Sequence, residues 1–266
     1  MSTLEKIVFA ALVLAVIGGG YWWWKSQTPA PLPVAPVAAP AAPPPEPEPA
    51  IQHPIEQAPV AAGEAPKPLP ALAESDSAAA EALAGLAPQG KLPDFIISKL
   101  LVRHIVATVD NLPRDKVSMN LWPVKPAAGV FMVAGTPDGK VIAPENSARY
   151  VPYIRFMESL DIKKVAAMYV HFYPLFQEAY RDLGYPKGYF NDRLIVVIDH
   201  LLATPEVSGA MRLEQPKVLY EFADPVLKET SAGQQILLRI GRENELKVKT
   251  KLRELRKEIT RQAPKG

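Results

Sequence analysis

The side chains best placed to do chemistry lie in the loop Gly184-Tyr-Pro-Lys-Gly-Tyr-Phe-Asn-Asp-Arg193. Tyr185, Tyr189 and Phe190 supply aromatic faces, and Asn191, Asp192 and Arg193 follow with an amide, a carboxylate and a guanidinium. This combination suits sugars or extended peptides, because flat rings cover apolar surface while nearby donors fix the polar atoms. The rival account is architectural: Tyr185 and Phe190 fill a core, Asn191 caps a helix, and Arg193 pairs with Asp192 or Asp182.

A second candidate is electrostatic. Between Arg239 and Lys265 there are ten Lys or Arg against four Glu, whereas Ala71 to Leu238 carries seventeen basic and nineteen acidic residues, so the net charge of +2 is a local excess. Lys247, Lys251 and Lys257 are expected on the outer face of the last helix. They form a solvated face with Glu243 and Lys247 as an i,i+4 pair, or a surface for anionic headgroups or an acidic envelope polymer. No nucleic-acid motif accompanies the charge, and no nucleic-acid partner is expected.

Signs of catalysis are sparse. The chain has no cysteine and only His53, His104, His171 and His200, so a metal site would need histidines and carboxylates. His104 and His171 sit beside apolar stripes, where a structural imidazole is expected. Asp199 and His200 are adjacent, about 100° apart around a helix, and do not converge on one ion. No G-x-S-x-G, Gly-rich phosphate loop or H-E-x-x-H is present. No catalytic residue, metal or cofactor is therefore assigned, and the chain leans away from being an enzyme.

The elements that position these groups are mainly helical. Leu69 to Leu86 reads as an Ala-rich helix with Ser75 and Asp76 as caps. Pro93 to Asp110 reads as a helix with Ile97, Leu101, Ile105 and Val109 facing the core and a stop at Asn111-Leu-Pro113. Val130 to Ala134 and Lys140 to Ala143 flank Pro137-Asp-Gly139 as a β-hairpin. Asn146-Ser147 caps Ala148 to Ser159, and Asp161 caps a long helix from Ile162 to Leu183 that Pro174 should kink. Asn191 caps Asp192 to Leu202. Ser231 caps a helix to Ile240, Gly241 breaks it, and Arg242 to Arg261 packs through Leu246, Leu252, Leu255 and Ile259.

Ahead of this domain, residues 71–266, lies a segment of another character. Of 29 prolines, fifteen fall between Pro29 and Pro70, where few large residues exist to bury. Residues 28–70 are read as a disordered, extended tether able to reach at most about 130 Å.

Before the tether, Ile7 to Trp24 (IVFAALVLAVIGGGYWWW) is eighteen uncharged residues bounded by Lys6 and Lys25. As a helix it reaches roughly 27 Å, close to a bilayer's hydrocarbon thickness, with Tyr21 to Trp24 at the interface. A cleaved signal would want small residues where these aromatics stand. Residues 1–27 are therefore read as an uncleaved transmembrane anchor. The tether holds Lys67 against Glu46, Glu48, Glu56 and Glu64, which favours the N-terminus inside and the domain outside.

The blocks RYVPYIRFMESLDIKKVAAMYVHFYPLFQEAYRDLGYP, FNDRLIVVIDHLLATPEV and YEFADPVLKETSAGQQILLRIGRENELKVKTKLRELRKEI resemble, in order and spacing, the bacterial family called domain of unknown function 3014. The resemblance covers roughly Leu69 to Ile259, and it implies domain limits but no activity or site residues. The chain is accordingly expected to be a single-pass protein of the bacterial inner membrane, with a non-catalytic binding or scaffolding module in the periplasm. Its partner is expected to be an envelope protein or wall polymer, since a long tether favours capture of a fixed partner. The alternatives are an enzyme acting on cell-wall material and an inward-facing assembly factor.

Overall fold

The computed structural model describes residues 50–55, 68–136 and 139–261. The span from Ile7 to Trp24, most of the tether, and Pro137 and Asp138 of the hairpin turn lie outside the described residues. No helix among the described residues is long and apolar enough to cross a membrane.

The domain is mainly helical, with two small antiparallel strand pairs. In chain order it contains α1 (Asp76–Leu86), α2 (Leu101–Asn111), β1 (Val133–Ala134), β2 (Val141–Ile142), α3 (Val151–Ser159) and α4 (Ile162–Asp182). These are followed by α5 (Phe190–Leu202), β3 (Leu213–Glu214), β4 (Glu221–Phe222), the short α6 (Pro225–Lys228), α7 (Ala232–Arg239) and α8 (Arg242–Arg261).

Helix α4 is the axis of the core. Asp161 accepts the Lys163 amide at 2.9 Å and the Lys164 amide at 3.3 Å, satisfying donors that the first turn leaves free. The helix continues through Pro174 and buries Tyr169, Phe172, Tyr173, Phe176 and Tyr180. Helix α8 lies against α3, α4 and α5, and Ile259 is fully enclosed at its far end. Leu252 and Leu255 pack on the core, but Leu246 is 42 % exposed and does not join it.

In its place α8 buries a charge. Lys249 is 1 % exposed, lies 2.7 Å from Glu245 and donates to the Thr204 carbonyl at 2.8 Å. The carboxylate contact is ionic rather than a well-directed hydrogen bond, since Glu245 Oε1 has no hydrogen-bond partner.

Helix α2 begins eight residues later than the sequence suggests. Leu100 takes a left-handed conformation (φ 53°), and the Asp76 carboxylate accepts the Leu100 and Leu101 amides at 2.7 and 3.1 Å. A side chain from α1 thus caps α2. The segment before it consists of turns around an isolated bridge: Ile96 bridges Val124, and Phe95 packs its ring 4.3 Å from that of Tyr153. The core-facing side is wider than expected: Leu101 is buried and Ile105 and Val109 pack on the core, and Val102, Val106 and Asp110 are buried beside them.

The hairpin β1–β2 forms in the expected place, shortened to the pairs Val133–Ile142 and Ala134–Val141. A second pair, β3–β4, flanks it, joined by the Leu213 amide donating to the Lys140 carbonyl at 2.8 Å. Asn146 does not cap α3, because residues 144–150 form a 3-10 turn leading into that helix. Its buried amide instead accepts the Met132 amide and donates to the Arg239 carbonyl, both at 3.1 Å. Ser231 caps α7 in a reciprocal capping box with Gln234, and Gly241 (φ 89°) turns the chain into α8.

Candidate functional site

The loop between α4 and α5 is held from below by aromatic packing. Phe190 is 1 % exposed and stacks on Phe176 at 5.9 Å, while Tyr185 stacks on Tyr180 at 4.6 Å. Gln177 fixes the turn: its carbonyl oxygen accepts the Tyr173 hydroxyl and the Phe190 amide, and its nitrogen donates to the Gly188 carbonyl at 2.8 Å. Gly188 is required there, since a β-carbon would stand 2.7 Å from the Tyr180 ring. Burial raises the Tyr169 and Tyr173 hydroxyls well above the usual phenol value of 10.

The polar residues split into two groups facing different partners. Arg193 turns toward α2, where its Nε donates to Asp110 Oδ1 at 3.0 Å and its Nη2 to the Asp110 carbonyl at 2.8 Å. Arg114 and the Tyr185 hydroxyl donate to the other carboxylate oxygen at 2.6 and 3.1 Å. The Asp110 side chain is only 2 % exposed, so one buried carboxylate ties α2, the loop and α5 together. It also raises the Arg114 guanidinium above its ordinary value, first through that hydrogen bond. Arg193 therefore pairs with neither Asp192 nor Asp182; Asp182 pairs with Arg103 at 2.9 Å.

The other group grips a piece of the chain read as tether. Asp192 accepts two consecutive amides, Gln52 at 2.9 Å and His53 at 2.7 Å. Asn191 donates to the His53 carbonyl at 2.8 Å, and the Tyr189 hydroxyl accepts the Ile55 amide at 2.6 Å. Pro54 has no amide to satisfy, and Ile55 packs against the main core. Asn191 does not cap α5, which begins at Phe190; it is fully buried and accepts the Tyr169 hydroxyl at 3.1 Å. The loop thus holds residues 52–55, which bend at Gln52 and His53, by their main chain.

The three lysines do not form one free surface. Lys247 is 3.1 Å from Glu243 and 3.7 Å from Glu158, and Lys251 donates to the Leu160 carbonyl at 3.1 Å. Lys257 is exposed and makes no ion pair among the described residues. The neighbouring Arg256 and Arg261 pair with Asp199 and Glu258. Of the histidines, His200 bonds to the Ser231 hydroxyl at 2.8 Å, and His171 packs edge-on to Phe172. No group of three or more metal-ligating side chains occurs among the described residues.

Residues 101–256 match the family described as protein of unknown function (DUF3014). The chain belongs to this family. The DUF3014 segment contains Asp110, Tyr189, Asn191, Asp192 and Arg193, whereas the gripped residues 52–55 lie outside it. No curated protein and no solved structure matches the chain. Asp110 and the strap at 52–55 were not singled out from the sequence. Asp110 stands 83 positions from Arg193 and inside a helical pattern, and the strap is hidden in proline-rich composition.

Proposed function

We propose that this chain is a single-pass protein of the bacterial inner membrane whose helical domain stands in the periplasm on a proline-rich tether. There it acts as a non-catalytic binding or scaffolding module for an envelope protein. The apolar run from Ile7 to Trp24 and the lysine-poor tether support the location.

The observation that carries the binding reading is the grip on residues 52–55. A carboxylate taking two adjacent amides, an amide giving to the intervening carbonyl and a phenol taking a third amide recognise main chain rather than side chain. Such a surface suits a peptide that bends as residues 52–55 do, with the position of Ile55 as its apolar anchor.

The test replaces Gln52 to Ile55 by Gly-Ser-Gly-Ser in the full chain and adds the labelled heptapeptide AIQHPIE in trans. Saturable binding that Asp192→Ala abolishes is the expected result; no saturable binding would reject the peptide reading. For location, single cysteines at Ala61 and Ser2 are labelled in intact cells with an impermeant thiol reagent. Labelling at Ala61 alone is expected, and protection there would place the domain inside.

A further inference from the structure

A cavity of about 630 Å³ lies away from the strap, between β2, α3, the loop before β3 and the start of α8. Its floor is apolar, with Ile142, Ile154, Met211 and Leu238 among the lining residues. Seven charged side chains also line it: Arg155, Glu158, Arg239, Arg242, Glu243, Glu245 and Lys247.

Pairing removes four of these from consideration. Lys247 neutralises Glu243 and Glu158 at 3.1 and 3.7 Å, and Glu245 is held by Lys249 at 2.7 Å from outside the lining. Arg155, Arg239 and Arg242 remain, and none forms an ion pair among the described residues. Arg242 reaches only the Ser208 hydroxyl at 3.3 Å. Arg239 donates to the Tyr220 carbonyl at 3.3 Å and lies over the Phe222 ring.

Arg239 is the informative member. Burial lowers its guanidinium below the ordinary value, outweighing the opposing influence of Tyr150 and Glu221, neither of which lies within ion-pair distance. A folded chain that keeps three guanidiniums around one cavity, while pairing the other cations nearby, holds charge in reserve for something else.

We propose that this cavity binds a phosphorylated amphiphile, with its phosphate among Arg155, Arg239 and Arg242 and its apolar part on the Ile142, Ile154 and Leu238 floor. Guanidinium pairs match phosphate oxygens in geometry, and the volume falls in the range of small-molecule sites. The N-terminal end of α8 opens on the same space and adds a favourable partial charge. A lipid headgroup and a soluble phosphomonoester both carry this chemistry.

The test is calorimetric titration of the full chain in nonionic detergent, corrected against empty micelles, with hexyl phosphate, inorganic phosphate and hexanol. Binding of hexyl phosphate weakened at least about tenfold in R155Q/R242Q, and unchanged in Lys257→Gln, supports the site. Lys257 serves as control because it lies about 22 Å along the helix from Arg242. Hexyl phosphate binding well above inorganic phosphate supports the apolar part of the site, and equal binding of the two would overturn the amphiphile reading. No binding of either phosphate, equal binding in R155Q/R242Q, or hexanol binding as tightly as hexyl phosphate would overturn the proposal. Arg155, Arg242 and Lys257 are all exposed, so the fold of both variants is checked by the unchanged melting temperature of the unliganded protein.

Discussion

Replacing Asp110 by alanine removes a single carboxylate from three donors, and the cost can be worked group by group. The Arg114 side chain is 53 % exposed and turns to water, so its loss contributes at most about 1 kcal/mol. Arg193 is 27 % exposed and keeps only its bond to the residue-110 carbonyl, which leaves a largely covered cation without a counter-ion for about 2 kcal/mol. The Tyr185 hydroxyl adds roughly 0.5–1 kcal/mol. The sum, about 3–4 kcal/mol, corresponds to a fall in melting temperature of about 10 °C for a domain of this size. Urea denaturation followed by far-ultraviolet circular dichroism measures it. Asp110→Asn, which keeps the shape and one acceptor, should lose about half as much. A loss below about 1 kcal/mol for Asp110→Ala would refute the claim that this carboxylate organises the loop.

High pH should destabilise the domain through its buried tyrosines. Tyr169 and Tyr173 are raised by burial, so their contribution is complete below pH 10 and is lost as pH climbs above the unfolded value. Stability should then fall by about 3 kcal/mol per pH unit for the two, and phenolate absorbance should show them titrating only on unfolding; flat stability from pH 10 to 11 would contradict this. Gly233→Ala places a β-carbon 2.9 Å from the Leu112 carbonyl and 2.7 Å from Leu201, and should cost about 1–3 kcal/mol. Gly85→Ala meets nothing within 4 Å inside α1 and should stabilise by up to about 1 kcal/mol, so the two melting temperatures should move in opposite directions. Lys249→Ala strands the buried Glu245 carboxylate and should cost about 3–5 kcal/mol, whereas the double replacement Glu245→Leu with Lys249→Met should recover most of it in the same denaturation assay.

What was legible in the sequence was local. Asp161 ahead of a long apolar period, and Ser231 ahead of another, announce helices whose caps lie in the same few residues. The start of α2 was not legible, because its cap is Asp76, twenty-four residues away in another element. Strands of two residues, as in β3 and β4, show no alternation to detect. Lys249 carries a charge into the core only because Glu245 and the Thr204 carbonyl meet it there. In the candidate site, Tyr189, Asn191 and Asp192 face residues 52–55 while Tyr185 and Arg193 turn to Asp110, a division that their spacing does not show. Their partners, Asp110 and the main chain of residues 52–55, come from remote segments with no periodic signature. On the basic helix the Glu243–Lys247 pair was legible from its i,i+4 spacing, whereas Glu158 and Asp199 reach Lys247 and Arg256 from other helices, which charge counting along the chain does not reveal.

The central claim is that Tyr189, Asn191 and Asp192 grip the main chain of residues 52–55, and amide hydrogen exchange at Gln52, His53 and Ile55 tests it most directly. In the full chain these three amides should exchange at least about tenfold more slowly than in the free heptapeptide. In Asp192→Ala, Gln52 and His53 should return to the free rate while the α4 amides stay protected. Exchange of all three at the free-peptide rate in the unaltered protein would contradict the account.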